Sequence, residues 1–213
     1  TTILIGPNAI GKTNLLEAIY LLATGRSWRT NHINSMIFWE KDFARVSAEL
    51  KGETKIKLEM ILQRFPIPDY PKTKIVKING VKKKVTDLLG KMTVVLFSPE
   101  IIQMIDGSPL LRRRFLDILI CQTDHKYPLA LLELMKIIRG RNKLLFYIKI
   151  GRSQEKELAF WDEKLIVLGQ FIIKKRQKTI EFLNKNLSEI YRIISGEIKI
   201  ISGEDETLKI LYK

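Results

Sequence analysis

The sequence predicts an α/β fold in which a nucleotide-binding core carries an antiparallel β lobe and an inserted helical lobe. Three observations predict it: a glycine-containing loop between an apolar run and an amphipathic stretch, a following region of period-two alternation, and a long region of helical periodicity. We expect residues 1–98 to form the first part of the head with its β meander, 99–196 the helical lobe, and 197–213 strands that return to the head.

The loop Gly6–Thr13 has the G-x-x-x-x-G-K-T pattern of a phosphate-binding loop. Thr2–Ile5 before it predicts a buried strand, and Asn14–Leu22 after it predicts an amphipathic helix, so the order of elements agrees with the motif. Glycines let the backbone curl so that N–H groups point at an anion, and the helix N-terminus adds partial positive charge. The pattern therefore indicates nucleotide binding; a glycine-containing turn before a helix is the plainer alternative.

Two side chains of the loop carry the expected chemistry. We expect Lys12 to reach the β- and γ-phosphates of ATP, and the Thr13 hydroxyl to bind the Mg²⁺ ion that accompanies the nucleotide. Ala9 stands where many phosphate-binding loops have glycine. The other positions of the cradle are Gly6, Pro7, Asn8, Ile10 and Gly11.

The net charge of +14 arises from 37 Lys and Arg against 23 Asp and Glu. This excess favours a polyanionic partner, because each phosphate that is neutralised releases counterions. A generic lysine-rich surface is the alternative. Because Cys121 is the single cysteine, an intrachain disulfide is excluded, and we expect a cytoplasmic protein without a membrane-spanning segment.

Period-two alternation predicts an antiparallel meander after the first helix. The alternating segments are Ala44–Leu50, Ile56–Leu62, Ile75–Ile78 and Val81–Val85. Asn79-Gly80 between the last two is typical of a tight hairpin. The continuous apolar run Met92–Phe97 predicts a central buried strand.

Beyond residue 98 the pattern predicts helices. Ser98-Pro99 and Ser108-Pro109 each have the sequence of an N-cap followed by proline, which predicts two helix starts. A helix from about Tyr127 to Tyr147 follows, and then one from about Glu155 to Ile194 with a break or bend at Gly169 and a stop at Gly196.

Basic residues of the helical lobe are candidate DNA contacts. The run from Lys136 to Arg152 contains six basic residues and no acidic ones, with Phe146 and Tyr147 inside it. A solvated helix face, with Phe146 in the core, is the alternative. Consecutive arginines at 112–114 spread around a helix, so we expect one to pair with a carboxylate such as Asp117. The DNA candidates are Arg112, Arg113, Lys136, Arg139, Arg141 and Lys143.

Seven segments, in order along the chain, resemble the RecF family of bacterial DNA replication and repair proteins. They are Gly6–Tyr20, Gly25–Thr30, Phe97–Glu100, Gly107–Asp117, Arg141–Leu145, Trp161–Asp162 and Ile190–Gly196. The resemblance implies a P-loop ABC-type ATPase head related to SMC heads, with ATP and Mg²⁺ as cofactors. It also implies an ATP-dependent homodimer that clamps single-stranded or gapped DNA, recombination mediator proteins as partners, and roles in recombinase loading and the SOS response.

For catalysis, the resemblance points to two places in the chain, Arg29 and the segment Ser98–Glu100. Arg29 lies where SMC-type heads carry an arginine near the nucleotide, so it would contact phosphates or link DNA to ATP turnover; a loop-capping surface arginine is the alternative. Ser98–Glu100 falls at the Q-loop position without its glutamine, and we assign Ser98 to helix capping.

ABC-type hydrolysis needs an apolar strand ending in Asp-Glu and a signature loop. Neither is found, and Ile194–Glu197 and Ile201–Glu204 only mimic a signature loop. We therefore expect a fragment truncated at both ends that binds ATP weakly and does not hydrolyse it alone. The alternative functions are a small-molecule P-loop phosphotransferase and a DNA-binding module with a vestigial nucleotide site.

Overall fold

The computed structural model describes residues 1–65, 73–102, 104, 107–195 and 210. The chain divides into two compact units, the first comprising Thr1–Arg112 with Cys121–His125 and the second Arg113–Ile120 with Lys126–Lys213. The strands expected within 197–213, apart from residue 210, and the helix stop at Gly196 lie outside the described residues.

In the first unit, two helices pack against a four-stranded antiparallel sheet whose strands pair in the order of the sequence. Its elements are α1 (Lys12–Thr24), β1 (Phe43–Leu50), β2 (Ile56–Gln63), β3 (Lys74–Ile78), β4 (Val81–Lys83) and α2 (Val85–Leu88), with a short 3₁₀ helix at Ile33–Met36. The meander predicted by the alternation is confirmed. Val85, which we expected to end a strand, instead begins α2.

The core of this unit lies between the second half of α1 and one face of the sheet. Leu22 of α1 packs with Leu58 and Met60 of β2 and Val76 of β3, and all four are at most 2% exposed. Met60 lies directly opposite Val76, so both side chains enter the same layer. The sheet is therefore fixed to the helix that follows the phosphate-binding loop.

Two predicted strands are wrong. Thr2–Ile5 and Met92–Phe97 form no β-ladder with any described residue. Within them, Ile5 is 91% exposed and Phe97 is 86% exposed. An apolar run indicates that burial is favourable, but a strand also requires a hydrogen-bonded neighbour, and the described sheet supplies none to these segments.

In the segment Met92–Phe97, a side chain rather than a neighbouring strand binds the backbone of Val94. The Val94 N–H donates to Oε1 of Gln122 at 2.7 Å, and Nε2 of Gln122 donates back to the Val94 carbonyl at 3.2 Å. Gln122 is 7% exposed, so this contact is largely shielded from solvent. One side chain therefore satisfies both backbone groups of Val94.

Ser98 and Pro109 lie at helix starts, as predicted, but the capping role of Ser98 is wrong. A 3₁₀ helix begins at Pro99, yet the Ser98 hydroxyl is buried and has no hydrogen-bond partner in the described part of the chain. Its carbonyl, rather than its side chain, accepts the N–H of Ile101 at 3.0 Å. The helix start predicted at Ser108-Pro109 is confirmed, because α3 spans Pro109–Thr123.

The second unit is built around a helical hairpin. Its long helices are α4 (Tyr127–Lys149) and α5 (Leu158–Ser195), joined through a 3₁₀ turn at Glu155–Glu157. The helix has no break at Gly169, because α5 runs through that residue as one helix. None of the helices in the described ranges is both long and apolar enough to cross a bilayer.

Candidate functional site

The phosphate-binding loop forms a curl that ends at the N-terminus of α1. Gly11 is the N-cap of α1, with φ of 101°, and Ala9 adopts φ of 66°. The Leu15 N–H donates to the Gly11 carbonyl at 3.0 Å and closes the first turn. Since the first N–H groups of a helix lack intrahelical acceptors, this end of α1 offers donors to an anion.

Lys12 places its charge inside this curl. Its Nζ donates to the carbonyl oxygens of Gly6 and Pro7, each at 2.7 Å. The ammonium therefore lies against the backbone at the start of the loop. Thr13, next in sequence, is exposed and has a hydroxyl of the kind that binds Mg²⁺ in P-loop proteins. The residues present fit a nucleotide phosphate with its metal ion.

Glu17 connects the segment 25–30 to the same helix. The Ser27 hydroxyl donates to Oε1 of Glu17, and Nη1 of Arg29 lies 3.2 Å from Oε2. Arg29 Nη1 also donates to Oδ1 of Asn14 at 3.2 Å. Because Asn14 directly follows Thr13, the guanidinium of Arg29 lies beside the first turn of α1.

Further contacts hold this segment in place. The Ser27 hydroxyl accepts the N–H groups of Arg29 at 3.0 Å and Thr30 at 3.2 Å. The Trp28 ring contacts the Tyr20 ring edge to face, with 5.4 Å between centroids. Sequence reasoning missed Glu17 and Ser27. The available signal was that Glu17 lies one helical turn after Thr13 and hence on the same side of α1.

Three of the DNA candidates form a stripe on α4. Lys136, Arg139 and Lys143 are exposed and lie three and four residues apart, so they share one helix face. Phe146, three residues further, is 58% exposed, so the core alternative for it is wrong. Nζ of Lys143 lies 5.6 Å from the centroid of the Tyr147 ring. This basic stripe of α4 is defined by Lys136, Arg139 and Lys143.

Arg141 does not belong to that stripe. Its Nε donates to Oδ1 of Asp162 at 2.6 Å, so it joins α4 to α5. Arg112, in the first unit, donates from Nη1 to the Gly107 carbonyl at 3.0 Å. Arg113 lies on α3 in the second unit.

The expected ion pair of Asp117 within α3 is wrong. Asp117 is bound by Arg176 of α5, whose Nη2 lies 2.8 Å from Oδ1 and 3.0 Å from Oδ2. Tyr127 of α4 donates its hydroxyl to Oδ1 at 2.6 Å. Burial of the ring and the hydrogen bond to Asp117 raise the pKa of Tyr127 above its usual value. This cluster joins three helices of the second unit.

Comparison with known proteins identifies the family. The family model described as "AAA ATPase domain" matches residues 1–210. The "DNA replication and repair protein RecF" of Chloroflexus aurantiacus is 36% identical over 228 residues, which cover 100% of this chain and 56% of that protein. The protein of the same name from Bacillus cytotoxicus is 34% identical over 213 residues, with coverage of 99% and 53%. The chain thus spans about half the length of these curated relatives.

Solved structures agree with the sequence comparison. The structure titled "recombination mediator protein RecF-ATP in RecFOR pathway" has a TM-score of 0.80 and 35% identity, covering 88% of this chain and 50% of that one. A second RecF structure, with ATPrS, has a TM-score of 0.79 at 35% identity and covers 89% and 50%. The loop, sheet and helices described above are therefore those of a RecF-like ATPase head, and the chain belongs to the AAA ATPase domain family.

Proposed function

We propose that this chain is the nucleotide-binding part of a RecF-like DNA repair and replication protein, in which bound ATP controls contact with DNA. The observation that carries the proposal is the position of Lys12, whose ammonium reaches back to the start of the loop, 2.7 Å from the carbonyl oxygens of Gly6 and Pro7. The similarity to an ATP-bound RecF, with a TM-score of 0.80, supports ATP as the nucleotide.

Each residue of the loop has a role in this proposal. The backbone from Gly6 to Gly11 would surround the phosphates, Lys12 would neutralise part of their charge, and Thr13 would hold Mg²⁺, which would supply further positive charge beside them. Arg29 lies beside the first turn of α1, where it contacts phosphates or couples DNA to turnover. No residue of this chain is assigned as the catalytic base.

DNA is the proposed macromolecular partner. The net charge of +14 and the basic stripe of α4 support contact with phosphates along a strand. By relation to RecF, we infer that the whole protein acts as an ATP-dependent homodimer that clamps DNA at gaps, assists recombination mediators in recombinase loading, and contributes to the SOS response. No observation favours a small-molecule phosphotransferase.

A nucleotide titration tests the ATP proposal. The wild-type chain and Lys12→Ala are titrated with a fluorescent ATP analogue and Mg²⁺, with Lys55→Ala as the matched control because Lys55 is an exposed lysine in the connection between β1 and β2. We expect Lys12→Ala to lose about 10- to 100-fold in affinity, since a hydrogen bond to a charged group contributes about 1.5–3 kcal/mol. Equal affinity of wild type and Lys12→Ala would contradict the proposal and favour a vestigial site.

A second titration tests the link to DNA. The full-length protein that contains this chain is titrated with gapped duplex, with and without ATP, and again as Lys12→Ala. We expect ATP to strengthen DNA binding in the wild type and not in the variant. If the wild type bound DNA with the same affinity with and without ATP, the proposal that ATP controls DNA contact would be refuted. The proposal that the chain binds ATP would not be affected.

A further inference from the structure

Glu17 of α1 is a largely buried carboxylate that joins two parts of the first unit. Its side chain is 15% exposed, and each of its two oxygens has a different partner. Oε1 accepts a hydrogen bond from the Ser27 hydroxyl, and Oε2 lies 3.2 Å from Nη1 of Arg29. Because both partners belong to the segment 25–30, one acid of α1 holds that segment against the helix.

Ser27 extends the hold of Glu17 to the backbone of Arg29. The Ser27 hydroxyl donates its single proton to Glu17, so its oxygen remains an acceptor. That oxygen accepts the N–H of Arg29 at 3.0 Å and the N–H of Thr30 at 3.2 Å. Ser27 is 2% exposed, so these bonds are shielded from water. Glu17 therefore acts on Arg29 twice, directly on its guanidinium and through Ser27 on its backbone.

The guanidinium of Arg29 is held at one nitrogen. Nη1 donates to Oδ1 of Asn14 and to Oε2 of Glu17, each at 3.2 Å. Among the residues that the structure describes, none accepts a hydrogen bond from Nε or Nη2, and the side chain is 48% exposed. The guanidinium is a rigid planar fork, so fixing one nitrogen orients the other two. Arg29 thus presents donors that are fixed in place and open to a ligand.

The charges around the first turn of α1 favour an anion as that ligand. Residues 1–39 contain one acid, Glu17, against the basic residues Lys12, Arg26 and Arg29. Lys12 donates to backbone carbonyls, and no acid within the described ranges forms an ion pair with it. The local charge therefore stays positive after Glu17 has paired with Arg29, and the helix N-terminus adds to it.

We propose that Glu17 is a positioning residue for nucleotide binding. It holds Arg29 beside the first turn of α1, where the open donors of the guanidinium would meet a phosphate oxygen of ATP. A side chain that is already held loses less conformational freedom when it binds, so the Glu17–Arg29 pair favours affinity although its charges cancel. This role rests on the proposed function, because it requires ATP in the loop. Glu17 itself does not contact the nucleotide.

A double-mutant cycle of ATP affinity tests this role. The full-length protein that contains this chain is titrated with a fluorescent ATP analogue and Mg²⁺ as wild type, Glu17→Gln, Arg29→Ala and the double variant. We expect each single variant to lose about three- to tenfold in affinity, and the double variant to lose no more than Arg29→Ala alone, since residues in one network are coupled. In Glu17→Gln the amide still accepts the Ser27 hydroxyl but turns an N–H donor toward Arg29.

Two further variants complete the test. Ser27→Ala removes the indirect hold alone, and it should weaken ATP binding in the wild type and not in the Arg29→Ala background. Glu59→Gln is the matched control, because Glu59 is also a largely buried carboxylate of the first unit, 8% exposed and bound by Arg45. It should bind ATP as the wild type does. Far-UV circular dichroism at the titration temperature checks that each variant is folded.

Several outcomes would overturn the proposal. Tighter ATP binding by Glu17→Gln would show that Glu17 competes with phosphates for Arg29, and unchanged affinity would show no role. The same loss with and without Arg29 would show that Glu17 supports the loop itself, and an equal loss in Glu59→Gln would show a general effect of destabilisation. In all these cases Lys12→Ala still tests the proposed function separately. A wild type that does not bind ATP overturns both.

Discussion

Glu59 is a buried carboxylate on the face of the sheet that points away from α1. Arg45 donates to it from two nitrogens, with Nε at 3.0 Å from Oε2, and Nζ of Lys77 lies 3.6 Å from Oε1. Burial would raise the pKa of Glu59, but the hydrogen bond and charge of Arg45, with those of Lys77, outweigh it. The pKa of Glu59 therefore lies below its usual value of 4.5. Glu59 of β2 thus binds a basic residue of each neighbouring strand, Arg45 of β1 and Lys77 of β3.

This arrangement predicts a pH-dependent contribution to stability. Because the folded pKa of Glu59 is depressed, its contribution is complete above the unfolded pKa and is lost as pH falls through the folded pKa. We expect Glu59→Gln to lower the free energy of unfolding at about pH 7, and the difference from wild type to shrink below about pH 4. Urea unfolding of both proteins across this range measures it. A difference that stays constant or widens on acidification would contradict the prediction.

Two residues of the phosphate-binding loop, Gly11 and Ala9, both adopt positive φ. Gly11 has φ of 101° and no atom within 4 Å of the Cβ that a substitution would add, so Gly11→Ala acts through backbone strain alone. Ala9 already holds φ of 66°, a conformation that costs a non-glycine residue about 1–2 kcal/mol. We expect Gly11→Ala to weaken ATP binding and Ala9→Gly to preserve or improve it, as measured by the nucleotide titration. Equal weakening by both would show that Ala9 contributes its methyl group rather than its backbone.

At the scale of elements, the α4–α5 hairpin depends on the close packing of the Trp161 indole against the backbone at Gly140. A Cβ on Gly140 would lie 2.2 Å from Cη2 of Trp161, so only glycine allows the indole to pack there. Arg141 and Asp162, the next residue on each helix, form the ion pair at the same crossing. Gly169, within α5, has open space where a Cβ would stand, with no atom within 4 Å. Glycine is therefore required by packing at residue 140 and not at residue 169.

Alanine substitution should separate these glycines. Gly169→Ala should stabilise the protein by about 0.5–1 kcal/mol, because alanine has the higher helix propensity. Gly140→Ala should destabilise it by about 1–3 kcal/mol, because overpacking displaces the Trp161 indole. Urea unfolding followed by far-UV circular dichroism measures both. Stabilisation by Gly140→Ala would contradict the packing at the crossing.

The elements also show which kinds of structure the sequence predicts. The meander was predictable because alternation and the Asn79-Gly80 turn are local signals. Thr2–Ile5 was not, because an apolar run does not reveal whether a neighbouring strand is present. The partner of Asp117 is Arg176, 59 residues away, and only the packing of α3, α4 and α5 brings them together. The curl that leads into α1 was predictable from the motif, whereas the contacts of Glu17 with Ser27 and Arg29 join residues ten and twelve positions apart and were not.

At the scale of the whole molecule, positive charge is present in both units. A net charge of +14 predicts that affinity for any polyanion falls steeply with salt, since each phosphate contact releases counterions. Charge alone does not say which surface binds the phosphates. The basic stripe of α4 is the proposed surface, and removal of the same number of charges elsewhere distinguishes it from a general effect.

We expect replacement of Lys136, Arg139 and Lys143 by alanine to reduce the slope of log affinity against log salt for duplex DNA. The reduction should approach about 0.9 for each phosphate that the variant no longer neutralises. The control replaces Lys41, Lys51 and Lys55, which are exposed lysines of the first unit, and changes the net charge equally. Fluorescence anisotropy over a salt series measures both slopes. Identical slopes for the two triple variants would rule out a dedicated stripe.

The amide of Gln122, held against Val94, has a consequence for how copies of this protein meet. An extended apolar backbone with unsatisfied groups is a template on which another chain can add a strand, and such addition leads to aggregation. At Val94 both backbone groups are already occupied by a buried side chain. Gln122 thus occupies, at the middle of the 92–97 segment, the backbone groups to which a strand added there would pair.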